Sequence, residues 1–153
     1  MTRLIRSLAR DERGTSVIEM AMLMPVMSSL LIGMVDISRA YSDKLQLEQA
    51  AQRSIEKVQQ YQTTTSTYST LQAEAATAAG VAISAVTVDP WLECDGVRQA
   101  SYTGVCPNGQ VYTRYITVSI QKMFTPMFGT AYFPNANSDG TYTLTGQAGL
   151  RTQ

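Results

Sequence analysis

Three residues of this chain could do chemistry that their neighbours cannot: Glu19, set in a long apolar run, and Cys94 and Cys106, the only cysteines. A carboxylate in an apolar helix costs roughly 2.5–3.5 kcal/mol at a membrane's centre and less near an end, so it asks for a partner charge or for an interface. Two cysteines can close a disulfide or stay as thiols. Without histidine, which the chain lacks, they cannot complete a four-ligand zinc site. The same lack excludes Ser-His-Asp and Cys-His nucleophilic sets. Phosphate-loop and dinucleotide signatures are missing, and nothing marks a Ser-Lys pair. Asp89, Glu93 and Asp95 fit a solvated turn better than a calcium site. No catalytic group, metal or cofactor is expected, and the chain reads as a non-enzyme.

What must position these residues? The chain has 153 residues, one modest domain, and a formal net charge of zero. With no basic stripe beyond the first 13 residues, no nucleic-acid partner is expected. The block "VIEMAMLMPVMSSLLIGMV", Val17 to Val35, carries Glu19 as its only charge. About 20 helical residues at 1.5 Å each cross a bilayer core, so this reads as a membrane span in contact with lipid. Arg3, Arg6, Arg10 and Arg13 precede it, which puts the N-terminal side in the cytoplasm and everything after Val35 outside. A cleaved secretory signal is the competitor. Against it stand the length of the run, the glutamate within it and the want of an A-x-A site.

The helical pattern continues past the membrane. From Asp36 to Gln60 there is no proline or glycine, and Ile37, Tyr41 and Leu45, then Ala51, Ile55 and Val58, fall at helical spacing, interrupted by Glu48. One helix over 15–61 would be roughly 70 Å long, and its outer half must bury that stripe. Pro25 predicts a kink or local melting. "QTTTSTYST", residues 62–70, reads as a linker, solvated or glycosylated, and "LQAEAATAAG" as a short helix stopped by Gly80. Strand patterns follow in "VAISAVTV", ending at Asp89–Pro90, then in "VYTRYITVSI" and "TYTLTGQAGL". Ile116, Val118 and Ile120 share one face of the second; Tyr142, Leu144, Ala148 and Leu150 share one face of the third. The expected fold is α+β: a long membrane-to-periplasm helix packed on a small antiparallel sheet. If the head lies outside the membrane, its compartment is oxidising and a Cys94–Cys106 disulfide is favoured over two thiols. Residues 121–140 read as a loop whose aromatics, Phe124, Phe128, Tyr132 and Phe133, pack on the sheet rim; a binding loop is the sharper alternative.

Now consider "RGTSVIEMAMLMPV", Arg13 to Val26. A short basic leader ends in glycine, an apolar helix starts at once, and a glutamate stands fifth after the glycine. This resembles the class III signal of type IV prepilins. The longer stretch to Val58 resembles the TadE-like family of the tight-adherence pilus system, at Gly14, Val17, Glu19, Ala21, Pro25, Gly33, Arg39, Ala50, Ala51 and Arg53. The head matches only in outline, in its cysteine loop, alternating strand and Arg151. Thr15 departs from the phenylalanine or methionine that often opens a mature pilin. The resemblance implies a leader over residues 1–14, cut between Gly14 and Thr15 by a prepilin peptidase. It also implies a helix over 15–61 that spans the bacterial inner membrane at 17–35, a linker over 62–70, and a periplasmic α+β head over 71–153. Glu19 would then answer the N-terminal amine of a neighbouring subunit and set register, rather than snorkel to the interface. Expected partners are other pilins or pseudopilins and the inner-membrane assembly platform. The expected function is a minor pilin or pseudopilin of a Tad-type pilus, possessing a place in the extracellular filament or serving its assembly. The alternatives are an uncleaved single-pass membrane adaptor and an adhesive surface-binding module.

Overall fold

A computed structural model describes residues 13–61, 68–127 and 136–152. Helix α1 is Arg13–Tyr61, helix α2 is Tyr68–Ala79, and a 3-10 turn at Ile83–Ala85 leads into four strands. These are β1 (Val86–Cys94), β2 (Val97–Arg98), β3 (Tyr112–Phe124) and β4 (Tyr142–Arg151), in one antiparallel sheet of order β2-β1-β3-β4. The fold is α+β, as expected. Two compact units divide the chain, Met1–Ser38 and Arg39–Gln153.

In the first unit the helix runs unbroken through Pro25 rather than melting there. Ser28 donates to the Met24 carbonyl and Ser29 to the Val26 carbonyl, each at 2.8 Å. Hydroxyls bonded within their own helix need no water, which suits an apolar surrounding.

The second unit is the head. Residues Leu47, Ala50, Ala51, Ile55 and Val58 of α1 share a core with Leu71, Ala75, Ala76 and Ala79 of α2 and with Val86, Ile116, Val118 and Ile120 of the sheet. The alternation read in β3 is therefore real. On β4, Leu144, Ala148 and Leu150 pack against that core. Between them lies Gly146, where a Cβ would stand 2.6 Å from both the Glu48 amide nitrogen and the Leu47 Cβ. Only a hydrogen atom fits there, so the helix backbone rests directly on the strand. Lys122 adds an ion pair to Asp43 at 2.9 Å.

This close approach corrects the expected stripe. Ile37, Tyr41 and Leu45 are exposed; the buried line begins at Leu47 and runs through Ala50, Ala51, Ser54, Ile55 and Val58. Contact at Gly146 turns the Leu47 side inward, so the bulky residues before it lie on another face. Strand β1 also differs, running through Asp89–Pro90 to Cys94. Proline is tolerated because β2 pairs only with Glu93 and Cys94, which leaves the outer side of β1 at Pro90 without a ladder partner. Helix α2 takes in Tyr68, Ser69 and Thr70, which the sequence assigned to a linker. The Tyr68 hydroxyl shares a 2.7 Å hydrogen bond with that of Tyr102, a tertiary contact that outweighs weak local propensity.

The outward face of the sheet carries a cross-strand stack. Trp91 and Tyr115 are register partners whose rings lie 5.2 Å apart and 16° from parallel. The Arg98 guanidinium covers the Trp91 ring at 4.9 Å and also reaches both oxygens of Asp89, at 2.8 and 3.0 Å. Such a stack ties β2, β1 and β3 together, each aromatic or cation contact contributing about 0.5–1.5 kcal/mol.

Candidate functional site: the apolar helix segment and the disulfide cleft

The helix of the first unit is apolar all round over its membrane-length stretch and exposed there; among the described residues of the unit, Asp36, near its end, is the buried one. Val17, Ile18, Met20, Met22, Leu23 and Met24 each keep more than half of their surface exposed, and the most apolar 18-residue window of the helix is 0% buried. A helix apolar on every side belongs inside a protein core or a membrane. This one, long and apolar enough to span a bilayer, has no protein core around it among the described residues. Glu19 lies exposed on this surface, one turn after Thr15. An ionised carboxylate only accepts hydrogen bonds, so in an apolar medium it draws a cationic donor. Gly14 and Thr15 fall within α1, while their side chains lie outside the described residues.

In the head, Cys94 and Cys106 are joined in a disulfide, with Cα atoms 5.6 Å apart. The bridge pins the loop that starts at a tight hairpin: Asp95 (φ 48°) and Gly96 (φ 81°) form the two-residue connection between β1 and β2. Both left-handed φ values are what a type I′ turn requires, and Asp-Gly is its favoured pair. The Asp95 carboxylate accepts the Val111 amide at 2.9 Å, which fastens the far end of the loop. Glu93 accepts the Trp91 indole N–H at 2.8 Å. Among the described residues no cluster of three His, Cys, Asp or Glu is placed to hold a metal.

The disulfide loop encloses a cleft of about 390 Å³ against the end of β3, walled by Leu92, Val105, Pro107, Asn108, Tyr112 and Arg114 among others. Its floor is the core face of the sheet, continued one strand position past Ile116. There Arg114 lies 5.6 Å from the Tyr102 ring centroid and 5.8 Å from that of Tyr112. Two aromatic faces orient the guanidinium as a fixed plane. Beside it, burial, followed by the bond to Tyr102, raises the pKa of Tyr68 above its ordinary value, so the Tyr68 hydroxyl stays protonated.

The sequence did not single out Tyr102, Tyr112, Arg114 or Gly146. A cation standing in line with Ile116, Val118 and Ile120 was the available signal for the cleft, and Asp95–Gly96 was the signal for the hairpin. Of the loop aromatics, Phe124 is the last residue of β3 and is buried, with the Arg39 guanidinium 5.9 Å from its ring. It is a packing residue, because the strand's core-facing alternation carries through to its end. Phe128, Tyr132 and Phe133 lie outside the described residues, as does most of the 62–70 stretch.

Among the described residues one helix is long and apolar enough to span a bilayer, and the chain continues from it into a disulfide-bridged α+β unit, which makes that helix the candidate anchor. The family to which that helix is matched is the TadE-like protein family, whose model covers residues 14–55. The match begins at Gly14 and takes in Glu19, Pro25 and the first part of the buried face, which bears out the resemblance read from those residues and relates this segment to proteins of the Tad pilus system. Most of the head lies outside it. Comparison with curated proteins and with solved structures yields no match.

Proposed function

We propose that the protein is a minor pilin or pseudopilin that enters, or is required to assemble, a Tad-type pilus. The observation that carries the reading is Glu19: a carboxylate exposed on an otherwise apolar helix surface, five residues past Gly14 and within the TadE-like match. On this reading a prepilin peptidase cuts after Gly14 on the cytoplasmic face of the inner membrane. The cut creates an amine at Thr15, and the Glu19 of a neighbouring subunit pairs with it. Two opposite charges in a low-dielectric medium attract strongly while desolvation offsets much of the gain, so the pair sets register more than it adds stability. The head then stands in the periplasm, or on the filament surface once assembled.

The intact mass of the protein extracted from membranes tests this directly. A chain starting at Thr15 is expected, and replacing Gly14 by a bulky residue should leave the precursor uncut. An intact wild-type chain would instead favour the uncleaved membrane adaptor.

A further inference from the structure

The two long edges of the head's sheet are finished differently. The Thr152 amide donates to the Arg114 carbonyl at 2.7 Å, and these two residues face each other when the β3–β4 register is carried on by one position. Bonded pairs alternate along an antiparallel ladder, so the even-numbered residues of β4 bond to β3 and the odd-numbered ones turn N–H and C=O outward. Those are Thr143, Thr145, Gln147 and Gly149, all exposed. Among the described residues no main-chain hydrogen bond takes up these groups. The same phase puts Val86, Val88, Pro90 and Leu92 on the outer edge of β1. There the Val86 carbonyl accepts the Gln72 side-chain amide of α2 at 2.6 Å, and the Leu92 carbonyl accepts the Gln99 amide at 2.7 Å. Pro90 between them has no N–H to offer. Proline, caps and charges are the usual means of closing an edge to further pairing. Strand β1 has them; from Tyr142 to Leu150, β4 has neither a proline nor a charged residue.

We propose that the outer edge of β4 receives a strand from a partner polypeptide: an extended, uncharged segment held by main-chain hydrogen bonds to Thr143, Thr145, Gln147 and Gly149. Residues paired across two strands share a face, so the segment's bonded residues lie on the outward face, beside threonines, where hydroxyls suit. Its intervening residues lie beside Leu144, Gly146 and Ala148 on the core face. Leu144 and Ala148 are only partly buried, and aliphatic side chains on the segment cover them. Abreast of Gly146, where the α1 backbone rests, the segment's residue is small. A second copy of this chain does not fit a two-fold pairing centred there. Neighbouring strands lie about 4.8 Å apart, packed helices need about 8–10 Å between axes, and each copy carries α1 on its own Gly146. The proposal is independent of the pilus reading, since it rests on the head alone.

The test uses the full-length protein in detergent micelles with its disulfide intact. The probe is fluorescein-labelled, amidated Thr-Val-Thr-Ala-Thr-Val-Thr in two forms. One is N-methylated at its third and fifth residues, whose N–H groups face β4, and the other at its second and sixth, whose N–H groups face away. Anisotropy should show saturable binding of the second form, at least tenfold tighter than of the first. Its addition should slow amide hydrogen exchange at Thr143, Thr145 and Gln147 at least tenfold and leave Val88, on the β1 edge, unchanged. Thr145→Pro removes one outward donor and no bond to β3, and should weaken binding at least tenfold. Thr145→Ala keeps the main chain and should change binding by less than about threefold. The two probes and the exchange pattern are read on the unaltered protein, so they stand even where Thr145→Pro disturbs the strand. Absence of saturable binding, equal binding of the two forms, protection that spares the β4 edge, or full binding by a folded Thr145→Pro protein would each overturn the proposal. So would a wild-type dimer that Thr145→Pro splits into monomers, which would give the edge to a second copy.

Discussion

Substituting Gly146 by alanine places one methyl group where α1 meets β4. The added Cβ would stand 2.6 Å from the Glu48 nitrogen and the Leu47 Cβ, about 1 Å inside ordinary contact. Both obstacles belong to a helix backbone or the atom fixed to it, so no rotamer change relieves the clash. Either the helix lifts from the sheet or β4 bends away, and such overpacking costs about 1–3 kcal/mol, here towards the upper end. Alanine also narrows the unfolded ensemble, which returns about 0.4–1 kcal/mol. The net loss is about 2 kcal/mol, or about 8 °C in melting temperature for a domain of this order of size. Gly149→Ala is the matched control. Its Cβ would meet the Thr117 Oγ1 at 3.1 Å, a side-chain atom that can rotate, and it lies on the outward face of β4. Thermal unfolding of the full-length protein in micelles, followed through Trp91, the single tryptophan, measures both. A Gly146→Ala protein as stable as wild type, or one no less stable than Gly149→Ala, would mean that the helix does not seat on β4 at Leu47.

Glu19→Ala should be made, inserted and cut normally yet fail to support pilus assembly. An unpaired buried charge costs about 3–5 kcal/mol in soluble proteins, more than a hundredfold in association, and Glu19→Gln should be partly defective; wild-type pili on Glu19→Ala cells would refute the register role. Opening the Cys94–Cys106 bridge by reduction should lower head stability by about 3 kcal/mol in urea unfolding; an unchanged midpoint would show that the loop does not constrain the unfolded chain. Asp139 is held below its ordinary carboxyl pKa, first by the Thr141 hydroxyl at 2.7 Å and then by the Thr141 amide at 3.0 Å. That bonding favours the folded state above the ordinary carboxylate range and is lost as pH falls through the lowered native value. Thr141→Val should therefore move the Asp139 titration upward by NMR, and an unmoved titration would assign the shift elsewhere.

Periodicity carried most of the fold. Ile116, Val118 and Ile120 alternate without interruption, and the membrane-length run from Val17 to Val35 admits few other readings. What escaped was set by contacts between distant residues. Leu47 looks no more core-like than Leu45 until Gly146 is seen to receive the helix beside it. Tyr68 sits among threonines and serines and becomes helical because Tyr102, 34 residues on, bonds its hydroxyl. Pro90 reads in sequence as the end of a strand, yet it lies where β2 is too short to need a donor from it. The TadE-like resemblance was legible because its signal is local: glycine, apolar helix and carboxylate lie within one short stretch. The cleft was not, because Leu92, Tyr102 and Arg114 converge only after the sheet and the disulfide have formed.

The seating of Leu47 on Gly146 also orders events during synthesis. The ribosome makes the helix before the strand that covers it, with the second helix and the other three strands between them. Until β4 has emerged, the inward side of α1 at Leu47 lacks its cover, and the closing contact spans a very long stretch of chain. The head therefore cannot complete its core until β4 has been translated. A nascent chain stalled before Gly146 would hold an apolar helix face open to chaperones or to the membrane surface.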